Sequence, residues 1–454
     1  MDTMPATTFS PELLAPAGDM ARLDAVLRYG ADAVYLGGTE MNLRAGASGF
    51  TPEALGIALA KAHSCGAKIY CCVNALPYEH QLKTMQATLE RLAQPFFCNQ
   101  EQLEPQWRSA DAPANGEYRI SGLIIADPGV LRMARRIAPH IPVHLSTQAN
   151  TANSESAAFW RDIGASRLNL ARELGAADIK AIMRAVPDVE YETFVHGAMC
   201  LAVSGRCLLS AWMNDRPANL GQCTHPCRFD YRTASVECSD QESGFGGIEV
   251  DFEERTRKGA PAWTVTEDDG WSHIWSPHDL CLVRYLRWFA MQGVAALKIE
   301  GRMKTAGYAA QVVDVYRAAI DDLAAGRYRP DLYMAELRNT ATRPLSSGFF
   351  LPSGRRKTWP AATKEERLPL VARIIGQHND DAWEVAVLAP WHASTSVHIL
   401  APGLNRPELA QTGYGVENHK GELAQTVHPG TKAVLRCGHK DLAAGLFLRA
   451  ANPA

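Results

Sequence analysis

The sequence has no marked excess of charge of either sign: 46 Lys and Arg stand against 49 Asp and Glu, a formal balance of −3. That excludes a strongly basic nucleic-acid coat, so any RNA contact has to come from local patches. Nowhere does a run reach the roughly 18–20 apolar residues needed to cross a bilayer. The stretch Met1 to Ser10 has neither the basic start nor the apolar core of a secretory signal. No membrane partner is expected, and a cytoplasmic location is. No Gly-x-Gly-x-x-Gly follows the first strand candidate, which leaves a dinucleotide-binding open sheet without support. Gly-x-Ser-x-Gly and His-Glu-x-x-His are also absent, as are internal repeats and low-complexity tracts.

What is present is a strand–helix alternation. With 46 % hydrophobic and 21 % charged residues the chain has the balance of a folded globular protein. Strand candidates are Glu12–Ala15, Ala33–Leu36, Lys68–Val73, Gly122–Ala126, Pro142–Leu145, Arg167–Leu170, Val189–Val195 and Ala295–Ile299, with helical patterns between them. Eight such strands predict an α/β fold of the TIM-like (β/α)8 barrel type over residues 1–345. Polar residues gather just past the strand ends, namely Asn74, Asp127, Gln148, Arg172, Glu173, His196, Glu300 and Arg302. In a barrel those ends share one face, where active sites lie. Residues 94–118 and 240–270 are polar and aperiodic, and read as loop insertions. Residues 346–367 read as a linker. Short alternating strands from 368 to 454 predict a small C-terminal β-barrel domain.

Eleven cysteines in a reducing compartment are not a disulfide framework. Cys65, Cys71, Cys72, Cys98, Cys281 and Cys437 are scattered, as buried apolar thiols are. Cys200, Cys207, Cys223, Cys227 and Cys238 instead fall within 39 residues. Four thiolates suit a cubane iron–sulfur cluster, because sulfur is the soft donor such cores prefer. Structural zinc usually takes two short Cys-x2–4-Cys pairs, and only Cys223-x3-Cys227 has that form. Zinc and unligated thiols remain open on spacing alone, as does Cys238 in place of Cys227. Arg206 and Arg228 flank the cysteines, where positive charge would raise a cluster's potential or hold an anionic substrate.

The blocks Glu12-Leu-Leu-Ala-Pro-Ala-Gly18, Tyr29-Gly-Ala-Asp-Ala-Val-Tyr35, Phe194-Val-His-Gly-Ala-Met-Cys200 through Ser210, and Leu297-Lys-Ile-Glu-Gly-Arg302 resemble the collagenase-like peptidases of unassigned catalytic type. Their order and spacing resemble the tRNA-hydroxylating branch over nearly the whole chain. That resemblance implies oxygen-independent hydroxylation of the wobble uridine of tRNA to 5-hydroxyuridine, with prephenate required and a [4Fe-4S] cluster loaded by the iron–sulfur assembly machinery. It implies Cys200, Cys207, Cys223 and Cys227 as ligands. In a quinone-modifying branch the fourth cysteine comes later, where this chain has Trp271–Ser276 and no cysteine. Related branches act on ribosomal RNA or a ubiquinone precursor, and these, with a protease, are the alternatives.

On this reading His196 is a candidate proton relay, with a core histidine as the competing role. Glu300 is a candidate acid–base group, or else a partner of Arg302 or Lys298. Arg302, Arg172 and Lys304 are candidates for the two carboxylates of prephenate, because a guanidinium matches a carboxylate in bidentate fashion. Arg206 joins them as a possible anion contact. Asn74 and Gln148 offer the donors and acceptors that a uracil edge needs. For tRNA itself, Arg355, Arg356 and Lys357 with Trp359 form a basic run beside an aromatic that could stack on a base. Arg132, Arg135 and Arg136 on one helix are a second basic set.

Overall fold

The computed structural model describes residues 10–39, 41, 49–200, 207, 210, 216, 223–228, 231–238, 248–254, 261–267, 278–418 and 420–452. Its centre is a closed parallel barrel. The strands are β1 (Glu12–Pro16), β2 (Ala33–Gly37), β3 (Lys68–Val73), β4 (Gly122–Ile125), β5 (Val143–Leu145), β6 (Arg167–Asn169), β7 (Glu190–Gly197) and β8 (Ala296–Ile299). Each pairs with its neighbour in chain order, and β8 pairs with both β7 and β1, which closes the ring. All eight strands expected from the sequence are present.

Helices α1 (Met20–Arg28), α2 (Pro52–Ser64), α3 (Leu82–Ala93), α4 (Pro128–Ile137), α5 (Ser154–Asp162), α6 (Ala176–Ala185), α7 (Leu286–Gln292) and α8 (Ala306–Ala324) run between and after the strands. Their starts are written locally. Thr51 accepts from Ala54 N with Pro52 behind it, and Thr305 caps α8 through Tyr308 N. Asp127 accepts from Val130 N at 2.9 Å and starts α4. This strand-end carboxylate, expected on the active face, is therefore used as a helix cap.

Two expectations for the insertions change. Residues 94–118 form a ribbon, Phe96–Phe97 with Glu117–Tyr118, around the buried Leu103 and Trp107. The segment leaves α3 and enters β4, so it lies at the N-terminal end of the barrel, away from the site. Within 240–270, the strands Ile248–Glu254 and Pro261–Glu267 join Tyr231–Cys238 in an antiparallel three-stranded sheet. That segment follows β7, on the side of the site.

The stretch 346–367 is tied to the barrel rather than hanging free. Thr358–Trp359 pairs with Leu345–Ser346, which pairs with Asp279–Cys281, itself antiparallel to the end of β7. Beyond it β9 (Leu370–Asn379), β10 (Ala382–Val387), β11 (Val397–Leu400), β12 (Glu408–Leu409), β13 (Gly415–Glu417), β14 (Lys432–Arg436) and β15 (Phe447–Ala450) form a seven-stranded antiparallel sheet in the order β12-β11-β15-β9-β10-β14-β13. It docks on the helices. Tyr29 Oη donates to Leu400 O at 2.6 Å, and the fully buried Asp314 accepts from Gly403 N at 2.7 Å and Arg406 Nη2 at 2.6 Å. Arg449 makes a two-pronged pair with Glu336 at 2.8 and 2.9 Å, on helix α9 (Pro330–Thr340). Among the described residues no helix is long and apolar enough to cross a membrane.

Candidate active site

The C-terminal strand ends surround a cavity of about 350 Å³. One part of its wall is sulfur: Cys200, Cys207, Cys223 and Cys227 all line it. Cys200 is exposed and the other three are half-buried. Cys223 Sγ accepts from His225 N at 3.4 Å, at a turn where His225 takes a positive φ of 59°. Cys238 lies at the end of its strand, paired with Ile248. Among the described residues, no three His, Cys, Asp or Glu side chains are gathered as ligands of a single ion. Arg206 lies outside the described residues, and nothing is described of the Arg228 side chain.

A second part of the wall is cationic, formed by Arg172, Lys298, Arg302 and Lys304. Arg172 Nη1 donates to Ala198 O at 2.8 Å, its guanidinium lies 3.8 Å over the Phe194 ring, and Nη2 is 3.7 Å from Glu300 Oε2. Lys298 pairs with Glu192 at 2.7 Å, not with Glu300. Arg302 is buried. Two glycines of the sequence blocks make this crowding possible. A Cβ at Gly18 would collide with Arg302 O, and one at Gly197 (φ +105°) with Glu300 O. The loop after β8 can therefore sit directly against the ends of β1 and β7.

A third sector is amide. Asn74 Nδ2 donates to Gln148 Oε1 at 2.8 Å, and Ser146 Oγ donates to the same oxygen at 3.3 Å. Asn169 Nδ2 donates to Glu192 Oε1 at 2.8 Å. Tyr35, Cys72, Ile124 and Phe194 supply the less polar surface between these groups. Burial pushes the Cys72 thiol upward against the pull of Arg302 and Lys298. Asn169, the last residue of β6, and Lys298, inside β8, were missed as site residues because each falls within a run that reads as strand, although each is a polar break in it, Leu168-Asn169-Leu170 and Leu297-Lys298-Ile299.

His196 is the correction. It is absent from the cavity lining and buried, with Nδ1 3.4 Å from Tyr316 Oη. Burial, with Lys304 nearby, pushes its pKa down to about 3, so the ring is neutral at physiological pH. The cause is a β-bulge: Lys298 pairs with Phe194 and Ile299 with His196, so Val195 is an extra residue. Simple alternation from Glu192 and Phe194 would aim His196 into the barrel. The bulge turns it out onto α8, which carries Tyr316.

Arg355, Arg356 and Lys357 are exposed, with Arg356 4.6 Å over the partly exposed Phe349 ring. Trp359 is half-buried in its strand. None lines the cavity, yet Phe350 O accepts from Ala176 N at the start of α6, which places the segment on the active face. Arg135 and Arg136 occupy the last turn of α4, toward the other end of the barrel.

Fold and site together define a (β/α)8-barrel protein with a thiol-, cation- and amide-lined cavity at its C-terminal face. The model of peptidase family U32 matches residues 18–359, and the chain belongs to that family. It is 33 % identical to tRNA hydroxylation protein P of Escherichia coli (strain K12), over 93 % of this chain and 92 % of that protein. It is 37 % identical to tRNA hydroxylation protein P of Helicobacter pylori (strain J99), over 75 % of this chain and 71 % of that one. The 23S rRNA 5-hydroxycytidine C2501 synthase of E. coli is 30 % identical over 75 % of this chain and 43 % of its own length.

Proposed function

We propose that the chain is an RNA hydroxylase that converts the wobble uridine of tRNA to 5-hydroxyuridine in the cytoplasm, with prephenate as co-substrate and without molecular oxygen. The observation that carries this reading is that Cys200, Cys207, Cys223 and Cys227 line one cavity on the active face of the barrel. The names of the E. coli and H. pylori relatives support the substrate class.

The donor set fits a [4Fe-4S] cluster. Four thiols lining one cavity are the number and kind of soft donor that an iron–sulfide core takes. Bound there, the cluster would supply one-electron or Lewis-acid chemistry. The protein's own groups do the rest. Arg302 and Lys304 receive the carboxylates of prephenate, aided by the positive field of Arg172. Glu300, beside Arg172, is the carboxylate placed to accept or return a proton. The buried walls of Phe194, Tyr35 and Ile124 keep water from reactive intermediates. Arg355, Arg356 and Lys357 hold the tRNA backbone, while the single-stranded anticodon loop lets its base swing into the cavity.

The test is anaerobic purification with iron and sulfide analysis, together with mass spectrometry of wobble nucleosides from a deletion strain. Loss of 5-hydroxyuridine and its derivatives, restored by the wild-type chain but not by Cys→Ser variants at positions 200, 207, 223 and 227, is the expected result. A protein without iron and sulfide, or unchanged tRNA, would refute it. The similarity to the rRNA 5-hydroxycytidine synthase motivates a second reading, ribosomal RNA as substrate, for which an altered ribosomal nucleoside is the signature.

A further inference from the structure

The amide sector of the cavity has buried polar atoms that the fold leaves unsatisfied. Gln148 and Asn169 are 8 % and 2 % exposed, and both line the cavity. Among the described residues, Gln148 Nε2 and Asn169 Oδ1 have no hydrogen-bond partner. Native folds rarely leave buried donors and acceptors unpaired unless something else completes them.

Both amides are oriented from behind. Asn169 Nδ2 donates to Glu192 Oε1, and a carboxylate partner only accepts, so the Asn169 oxygen is the end left over. Lys298 donates to the same Glu192 oxygen and anchors it. Gln148 Oε1 is occupied by Asn74 Nδ2 and Ser146 Oγ, so the NH2 is its remaining end. Ser146 Oγ also accepts from Gln148 N at 3.4 Å, which leaves its own proton for Oε1. Asn74 thus positions the reader instead of reading.

Strand order arranges these ends around the barrel. Gln148 follows β5, Asn169 is on β6, and the Arg172 guanidinium leans toward β7, over Phe194 and onto Ala198 O. The sequence of groups is donor, acceptor, donor. Uracil presents the complement along one edge, O4, N3–H and O2. Cytosine in the same seat would set its N4 amino group against the Gln148 NH2 and its bare N3 against Asn169 Oδ1.

We infer that Gln148 and Asn169 are the residues that select uracil over cytosine. The inference rests on the RNA-hydroxylase reading above. It is tested with two anticodon stem-loop RNAs that differ only in U or C at the target position, measuring binding by fluorescence anisotropy and turnover by mass spectrometry. Gln148→Glu keeps an oxygen for Asn74 and Ser146 but replaces the donor with an acceptor. The U:C affinity ratio should fall about tenfold or more, the scale of one mispaired buried hydrogen bond. Asn169→Ser, which shortens the acceptor away, should lower the same ratio. If wild type hydroxylates uridine while both folded variants keep the U:C ratio within about twofold, the inference is overturned and the hydroxylase reading stands. If wild type neither binds nor modifies either RNA, both fall.

Discussion

His196 is 2 % exposed, and its folded pKa of about 3 compares with roughly 6.5 for an unfolded histidine. Between those values the unfolded chain binds a proton that the folded one refuses. Its contribution is therefore neutral above about pH 6.5 and destabilising as pH falls toward 3. At pH 5 that penalty is about 2 kcal/mol relative to pH 7.5. His196→Gln should lose less stability than wild type between those two pH values, measured by urea unfolding. An acid limb of the same depth in the variant would show that His196 does not set it. His196→Gln should also leave the shape of the turnover profile between pH 6 and 8 unchanged, because the His196 ring neither charges there nor lines the cavity.

At the scale of elements, the bulge at Val195 and the glycine that follows it join β7 to β8. Gly197 has φ +105°, and a side chain there would meet the Glu300 carbonyl. Gly197→Ala should cost about 2 kcal/mol or more in unfolding free energy, from strain and forced separation of the two loops. If prephenate is the co-substrate as proposed, the same variant should bind it more weakly, since Glu300 and Arg302 move together; calorimetric titration reads this directly. An alanine variant with unaltered stability would mean that the two loops do not depend on this close approach. The basic segment 355–357 makes a separate prediction. With all three residues changed to Ala, the slope of log affinity for tRNA against log salt should flatten by about 2, the value for three lost contacts to single-stranded phosphates. An unchanged slope would place the RNA elsewhere.

Across the whole molecule, the C-terminal sheet is clamped to the barrel by buried charge. Asp314 is 0 % exposed, and burial raises its carboxyl pKa against the opposing pull of Arg406. Arg406→Ala strands that group in the interface, at a cost of about 3–5 kcal/mol. The expected outcome is a lower melting temperature and faster limited proteolysis between residues 346 and 368, while Asp314→Asn in the same background restores part of the loss. Equal protease resistance in wild type and variant would show that the clamp does not hold the sheet.

The eight strands were legible in the amino-acid sequence because apolar runs and helix caps are local signals, and so was the cysteine spacing. Short-range order also showed that polar residues gather past the strand ends. Which of them face the cavity was not local information. Asp127 turned out to cap a helix, His196 was turned outward by one extra residue in β7, and Asn169 and Lys298 were hidden within apolar runs that read as strand. Alternation predicts a side chain's direction only while two strands stay in register. Register, the crossing of the 94–118 ribbon to the far end of the barrel, and the pairing of Lys298 with Glu192 are set by contacts between residues far apart in the chain. Only closure of the barrel brings those partners within reach.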